Sequence, residues 1–488
     1  MEDEWTVNAN EAITISLVRP SGSAIEKISS FNPKLTYSIF GEDERIFGYK
    51  GLKVNLQYDA RNLRPHLSVS STKKFKSVGE VEALDVREVL KEFLPGVAFQ
   101  TRSEYEKALK DLPETWTPPG VLVKTAEKNG ETYEIWRGTM ADPAVRQLIR
   151  RTEITALLFI EGGSYIGLDS DGRDDSEDIL ARWSVFLVYK KDAIADAEGK
   201  HEYLFQGFAT VHNFWMYQQP PMLIQPRSDD SWELPSGSLE LATLPHRARI
   251  SQFIVLPPYQ GKGVGALLYD TIFGLYMADA ATKEITVEDP NEDFDLLRDI
   301  CDLKYLRKNV PEFATLSINN DVPIPDKGGL LHNNTQISSG NSAASSVGGI
   351  VDVAKLEEVR LKAKIAPRQF WRLVEIHLMS TLPVSVQPQA DDESMQPPAS
   401  KADQKVYTLW RLLLKQRLYR RNVLILAELE TTERIIKLNE TVNNVEWEYA
   451  RILERLGPKV AATNGKRKLD IAGDDDVPSI KKARVDAQ

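Results

Sequence analysis

The hydrophobic pattern changes period most sharply between Arg249 and Arg298. Ile250 to Leu256 is an apolar, β-branched run closed by Pro257 and Pro258, which predicts a strand with a hard stop. Gln260 to Gly265 is a Gly-rich turn. It feeds apolar positions at Val264, Leu267, Leu268, Ile272 and Leu275, a helical period. Glu284 to Val287 predicts a second strand. That strand ends at Glu288-Asp289, where Pro290 biases Asp289 away from helical backbone.

The rest of the chain is placed around this block. Ala12 to Val18 and Leu52 to Tyr58 predict strands, and Val86 to Phe93 a short helix. Arg151 to Glu161 is apolar and is expected to end in strand. Trp183 to Tyr189 and Tyr203 to Trp215 predict strands of a meander, with a polar, hairpin-like connection at Asp192 to Lys200. Gln218 to His246 has little periodicity and is expected to be a surface excursion. Asn319 to Gly349, rich in Asn, Ser and Gly, predicts a disordered linker. Val351 to Leu378 and Asp403 to Leu456 predict helices on either side of a disordered break at 383–401. Val406, Leu409, Trp410, Leu413, Leu414, Leu418, Val423 and Leu426 make one apolar helical face, expected to pack within a bundle or on the preceding domain. The units are therefore 1–115, 116–318, a linker at 319–350, a helical region at 351–457 and a tail at 458–488.

Composition narrows the class. The chain is 42% hydrophobic and 27% charged, with a net charge of −10. That charge argues against nonspecific nucleic-acid binding and leaves room for a basic partner. The single cysteine, Cys301, excludes an intrachain disulfide, fits a reducing compartment and is expected to be a buried structural thiol. No apolar run reaches the roughly 18 residues needed to cross a bilayer, and the opening Met-Glu-Asp-Glu-Trp lacks the features of a signal peptide. The expected location is cytosol, nucleus or both. Asp169 to Asp178 is rich in acids but lacks the spacing of a calcium loop, so it is expected to be an acidic surface loop. Glu42, Asp43 and Glu44, from composition alone, form a solvated acidic loop.

The chemistry of the Gly-rich turn is anion binding. A helix start leaves amide N–H groups unpaired and carries partial positive charge. Gly261, Gly263 and Gly265 remove the Cβ atoms that would keep a phosphate away from the backbone. The Gly-Lys-Ser/Thr ending of a P-loop is absent, and Gly263 and Gly265 are one residue too close for the dinucleotide fingerprint. The remaining pattern, Gln260-x-x-Gly263-x-Gly265, is similar to the pyrophosphate motif of the GCN5-related N-acetyltransferases. The flanks, Ser-Gln-Phe-Ile-Val-Leu-Pro-Pro-Tyr-Gln and Ile-Thr-Val-Glu-Asp-Pro-Asn-Glu, resemble the catalytic subunits of the type B histone acetyltransferases. So do Phe47 to Lys53 and the opening Trp5…Asn8-Ala9-Asn10, so the resemblance spans roughly residues 5 to 315.

That resemblance implies an α+β acetyltransferase fold. A mixed, mainly antiparallel sheet would be flanked by helices, with a β-rich N-terminal domain and a helical C-terminal region. It implies acetyl-CoA as co-substrate and no metal. The backbone of Phe253, Ile254 and Val255 would pair with the pantetheine arm; the sequence does not assign the oxyanion donor, for which the fold offers Val255 as one candidate. The amides of Gln260, Gly261, Lys262, Gly263, Val264, Gly265 and Ala266 would hold the pyrophosphate, and Asn291 would add a further contact. Glu288, at the strand end beside the thioester, matches the family's catalytic base, with Glu161 and Asp289 as second-line acids. No Cys-His or Ser-His arrangement is recognisable, so direct transfer is expected. His246, at the edge of the motif block, is expected at the surface. Glu42, Asp43, Glu44, Trp215 and Tyr217 become substrate contacts. The implied substrate is the N-terminal tail of new, non-nucleosomal histone four, and the implied partner is a WD40-repeat histone chaperone. The 218–246 segment looks like an insertion relative to this family. Lys466-Arg467-Lys468 and Lys481-Lys482-Ala483-Arg484 resemble a bipartite nuclear import signal, giving nucleus and cytoplasm as the location. The rivals are an acetyltransferase for another amine and a non-enzymatic histone-binding scaffold.

Overall fold

The computed structural model describes residues 3–22, 24–193, 201–216, 244–324, 349–390 and 397–457. Tyr217, most of the 218–246 segment, most of the linker and the basic tail lie outside the described residues.

Strands β1 (Ile13–Ser21), β2 (Ala24–Phe31), β3 (Lys53–Asp59) and β4 (Pro65–Ser70) form an N-terminal sheet in the order β2-β1-β3-β4. The central sheet begins with a hairpin of β5 (Val121–Lys128) and β6 (Glu131–Thr139). Its two turn residues, Asn129 and Gly130, have φ of 55° and 79°, the left-handed pair that matches strand twist in a tight hairpin. The sheet continues with β7 (Trp183–Ala193), β8 (His201–Trp215), β9 (His246–Val255) and β10 (Thr282–Val287). Its order is β10-β9-β8-β7-β6-β5, antiparallel throughout except for the parallel β9–β10 pair. The expected mixed, mainly antiparallel sheet is thus present.

The central sheet is the middle of three layers. One face, with Leu187, Phe205 and Phe208, shares a core with the N-terminal sheet and with helices α1 (Pro143–Thr152) and α2 (Ile154–Phe159). This core draws residues from between Ala9 and Leu256, on both sides of residue 115. The expected strand at the end of 151–161 is instead α2, in which Ile154 to Leu158 are all buried. A short run buried on every side has no periodicity to separate helix from strand.

The other face packs against α3 (Val264–Ala278) and α4 (Glu292–Asn309), and through them against the C-terminal helices. These are α5 (Val353–Lys362), α6 (Pro367–Ser380), α7 (Lys401–Arg421), α8 (Val423–Ala427) and α9 (Thr431–Leu456). The helix expected over Val351 to Leu378 is two, because Lys364 takes φ 52° and Pro367 starts the second. The described part of the 383–401 break is structured rather than disordered. Val386 N–H bonds to the Pro383 carbonyl, Ser385 Oγ donates to Asp403 at 2.8 Å, and a Ser400–Asp403 capping box starts α7.

The C-terminal helices grip the elements that carry the Gly-rich turn. Lys364 Nζ donates to the carbonyls of Tyr276, Met277 and Asp279 at 3.1, 2.9 and 2.6 Å, satisfying the C-terminal end of α3. Ile365 bridges Ile285 in parallel, covering the outer edge of β10. Tyr269 of α3 donates to Asp302 of α4, and Gln369 of α6 donates to both Asp299 and Asp302. No described helix is long and apolar enough to cross a membrane.

Candidate active site

The site is built around an irregularity in β9. The register with β8 passes from Val211↔Ile250 to Thr210↔Gln252, so Ser251 is a bulge residue. A bulge exchanges the two faces of a strand. Before it, Ala248 and Ile250 point into the core under α3. After it, Ile254 joins the opposite core, while Phe253 and Val255 pack on the α3 side.

The bulge also exchanges the two edges. Gln252 N–H bonds to Thr210 Oγ1 and Leu256 N–H to the Gln206 carbonyl, so the even positions now face β8. Phe253 and Val255 therefore direct their backbone groups to the other edge. There β10 is no longer paired: its last register position is Ile250↔Val287, and Glu288 N–H closes the ladder on the Ile250 carbonyl. The two parallel strands splay from this point, and a strand edge opens between them. Gly207 stands opposite Val255; a Cβ there would lie 2.2 Å from the Ile254 carbonyl oxygen, so β8 needs glycine at this position.

Pro257, Pro258 and Tyr259 then turn the chain toward α3. Gly261 and Gly263 have φ of 71° and 80°, so the turn needs glycine at both. Gly263 is the N-cap of α3 and supplies no side-chain cap, leaving the first-turn amides free for an anion. The Gln260 side chain donates to the Val255 carbonyl at 2.8 Å, tying the turn to the open edge. At Gly265 a Cβ would meet only ordinary contacts, 3.5 Å or more from Leu297, Val255 and Phe253. Asn291 caps α4 by accepting from Phe294 N–H at 2.9 Å.

Glu288 and Asp289 stand exposed where the strands part, with Asp289 at φ 32°. One Glu288 oxygen accepts from Ser251 Oγ at 2.5 Å and the other lies 3.4 Å from Arg249 Nη2. The bulge that opens the edge thus also aims the carboxylate. Arg249 stacks over Phe214 at 4.3 Å, and Phe214, His212 and Trp183 form an aromatic row with centroid separations of 4.2 and 4.5 Å. Burial, then Arg182 and Arg249, push the His212 imidazole down to about 4, so it stays neutral. The sequence reading missed this row; the alternation of His212 and Phe214 on one strand face was the available signal.

The segment leading to the N-terminal acids is joined to β9 through a chain of hydrogen bonds. Gly162 N–H donates to Tyr37 Oη at 2.7 Å, and Lys34 and Leu35 N–H bond to the Leu158 carbonyl. Gln252 Nε2 donates to the Ser164 carbonyl at 2.7 Å. The exposed loop carrying Glu161 is therefore held between Tyr37, just before the Glu42-Asp43 loop, and Gln252 of β9. Glu42 and Asp43 are exposed. Glu44 is turned inward: at φ 51° it accepts from Thr36 N–H at 2.5 Å and Asn10 Nδ2 at 2.7 Å, and it holds the loop. Trp215 is exposed at the far end of β8, opposite His246, with Arg182 4.4 Å above its ring. His246 is not at the surface. It is 6% exposed and bonded to Thr282 Oγ1 at 3.0 Å. Among the described residues no group of three or more His, Cys, Asp or Glu could hold a metal ion.

A splayed β9–β10 pair, a Gly-rich turn on the next helix and an acid at the splay define an acetyltransferase of the GNAT type. The family models agree: residues 193–293 match the acetyltransferase (GNAT) family, 5–161 the histone acetyl transferase HAT1 N-terminus and 336–383 the fungal HAT1 C-terminal model. Among curated relatives, the histone acetyltransferase type B catalytic subunit of Gibberella zeae is 47% identical over the full length of both chains. The one from Pyricularia oryzae is 42% identical over 99% of each chain. The one from Candida albicans is 30% identical over 96% of this chain and 94% of that one. The chain belongs to the family of type B histone acetyltransferase catalytic subunits and is an acyltransferase.

Proposed function

We propose that this enzyme transfers acetyl from acetyl-CoA to lysine side chains in the N-terminal tail of newly made, non-nucleosomal histone four, before its deposition in chromatin. The observation that carries the reading is the exposed acidic rim. Glu42, Asp43 and Glu161, far apart in sequence, lie on loops tied by Tyr37–Gly162 and Gln252–Ser164 to β9, whose Ser251 donates to Glu288. Such a rim suits a lysine-rich tail.

The residues present fit acetyl-CoA. The open edge at Phe253 and Val255 would take the pantetheine arm as an added strand. The first-turn amides of α3 would take the pyrophosphate, with Gly261 and Gly263 allowing close approach. Acetyl-CoA would supply the activated thioester: attack by the amine forms the amide C–N bond as the C–S bond breaks, and coenzyme A leaves as a thiolate that takes up a proton from solvent. The lysine amine, with a pKa near 10.4, is neutral in roughly one molecule in a few thousand at pH 7. Glu288 accepts its proton, directly or through water, while Ser251 and Arg249 fix the carboxylate. Glu161 and Asp289 pass the proton to solvent. Val255 N–H, on the open edge, is the candidate donor to the developing oxyanion. The family resemblance further supports a WD40-repeat histone chaperone as partner, and the paired basic clusters of the tail support a life shared between nucleus and cytoplasm.

The rival amine substrate separates on the rim. Glu42→Gln with Asp43→Asn is expected to raise KM for a histone four tail peptide about tenfold or more, with kcat nearly unchanged. Glu44→Gln should instead lower stability, because its carboxylate is held by Thr36 and Asn10. A peptide KM that ignores the double substitution would favour another amine.

A further inference from the structure

We infer that Lys128, on the β5–β6 hairpin, is a pyrophosphate-binding residue of the cofactor site. The inference rests on the acetyl-CoA reading above and deepens it. Lys128 belongs to a strand far from the Gly-rich motif in sequence, yet its Nζ donates to the Gly263 carbonyl at 2.9 Å. It also fills the space beside the Gly263 Cα. A Cβ built on Gly263 would lie 1.9 Å from Nζ and 2.5 Å from Cε. Gly263 is the N-cap of α3, so the ammonium sits at the lip of the turn whose amides face the anion.

The turn needs this charge. Gln260 is neutral and its amide is engaged with Val255. Lys262 lies over the Tyr259 ring, 5.7 Å from its centroid. A helix terminus offers only about half a unit charge, and a doubly ionised pyrophosphate is better matched by amides plus a cation. The hairpin is built to present that cation rigidly. Its Asn129-Gly130 turn is tight, and Glu131, directly opposite Lys128, is fixed by Lys190 at 2.9 Å and by Tyr133 Oη at 2.5 Å. Lys128 remains partly exposed, so its head group can rotate from the Gly263 carbonyl to a phosphate oxygen without backbone movement.

The test is the affinity of the full-length enzyme for acetyl-CoA and for acetyl-dephospho-CoA, by titration calorimetry, for wild type, Lys128→Gln and Lys128→Arg. The glutamine variant should bind acetyl-CoA about tenfold more weakly, the arginine variant within about threefold of wild type. The loss should appear in KM for the cofactor rather than in kcat, and it should shrink as salt is raised. The same loss should persist with acetyl-dephospho-CoA. A loss that vanishes without the 3′-phosphate would overturn the pyrophosphate assignment. Equal affinity in wild type and Lys128→Gln would overturn any cofactor role. Equal losses in both variants, with a lowered Tm, would make Lys128 a structural prop for Gly263. A wild type that binds no acetyl-CoA would instead sink the cofactor reading itself.

Discussion

Glu288→Gln is expected to lower kcat for acetyl transfer by about 10²–10⁴-fold, the usual worth of a positioned general base. A hundredfold loss corresponds to roughly 2.7 kcal/mol of transition-state stabilisation. Glutamine keeps the shape and still accepts from Ser251 Oγ, so the bulge and the splay should survive. Affinity for acetyl-CoA should change little, because the carboxylate lies beside the open edge and not on the turn. The substituted enzyme should recover activity as pH rises, since more of the lysine substrate is then already neutral. Steady-state rates over pH 6 to 10, on both proteins, measure this. A variant that keeps kcat within a few-fold of wild type would move the proton acceptor to Glu161 or Asp289.

The second large effect lies far from the chemistry. Glu375 of α6 is 1% exposed and accepts from Arg417 Nε at 2.7 Å and Tyr449 Oη at 2.9 Å, so one carboxylate joins α6, α7 and α9. Its backbone carbonyl takes the buried Trp410 indole N–H at 3.0 Å. Burial pushes the carboxyl above its ordinary value, while Arg417 and Tyr449 pull the other way. Removing one partner of such a pair strands the other charge, so Glu375→Ala should cost about 3–5 kcal/mol. Replacing both Glu375 and Arg417 by Met should cost far less, because neither charge is then left unpaired. Urea unfolding followed by tryptophan fluorescence would report both. A single-variant loss below about 1 kcal/mol would mean that water reaches this cluster. These helices hold Asp299 and Asp302 of α4 and the C-terminal end of α3, so a loosened bundle should also raise KM for acetyl-CoA.

The block around the turn was legible because three strong signals fall in sequence there: an apolar run stopped by Pro257-Pro258, glycines at fixed spacing, and a strand ended by Pro290. Its working detail was not legible. The Ser251 bulge has no glycine or proline to mark it, yet it decides which edge of β9 is open and where Glu288 points. The β5–β6 hairpin is legible in Asn129-Gly130, but nothing local shows that Lys128 beside it reaches Gly263. His246 reads as a surface residue because nothing local reveals Thr282 beneath it. Glu44 reads like its neighbours Glu42 and Asp43; only the fold shows that Asn10 and Thr36 draw it inward. The division of the chain into units depends on long-range packing, and one core drawn from both sides of residue 115 leaves no local mark there.

The central claim is best tested by labelled acetyl transfer from acetyl-CoA to a free histone four tail peptide, with assembled nucleosomes as the comparison. The account predicts rapid labelling of tail lysines on the free peptide and little on nucleosomes. Bound acetyl-CoA with no transfer to the free tail would contradict it.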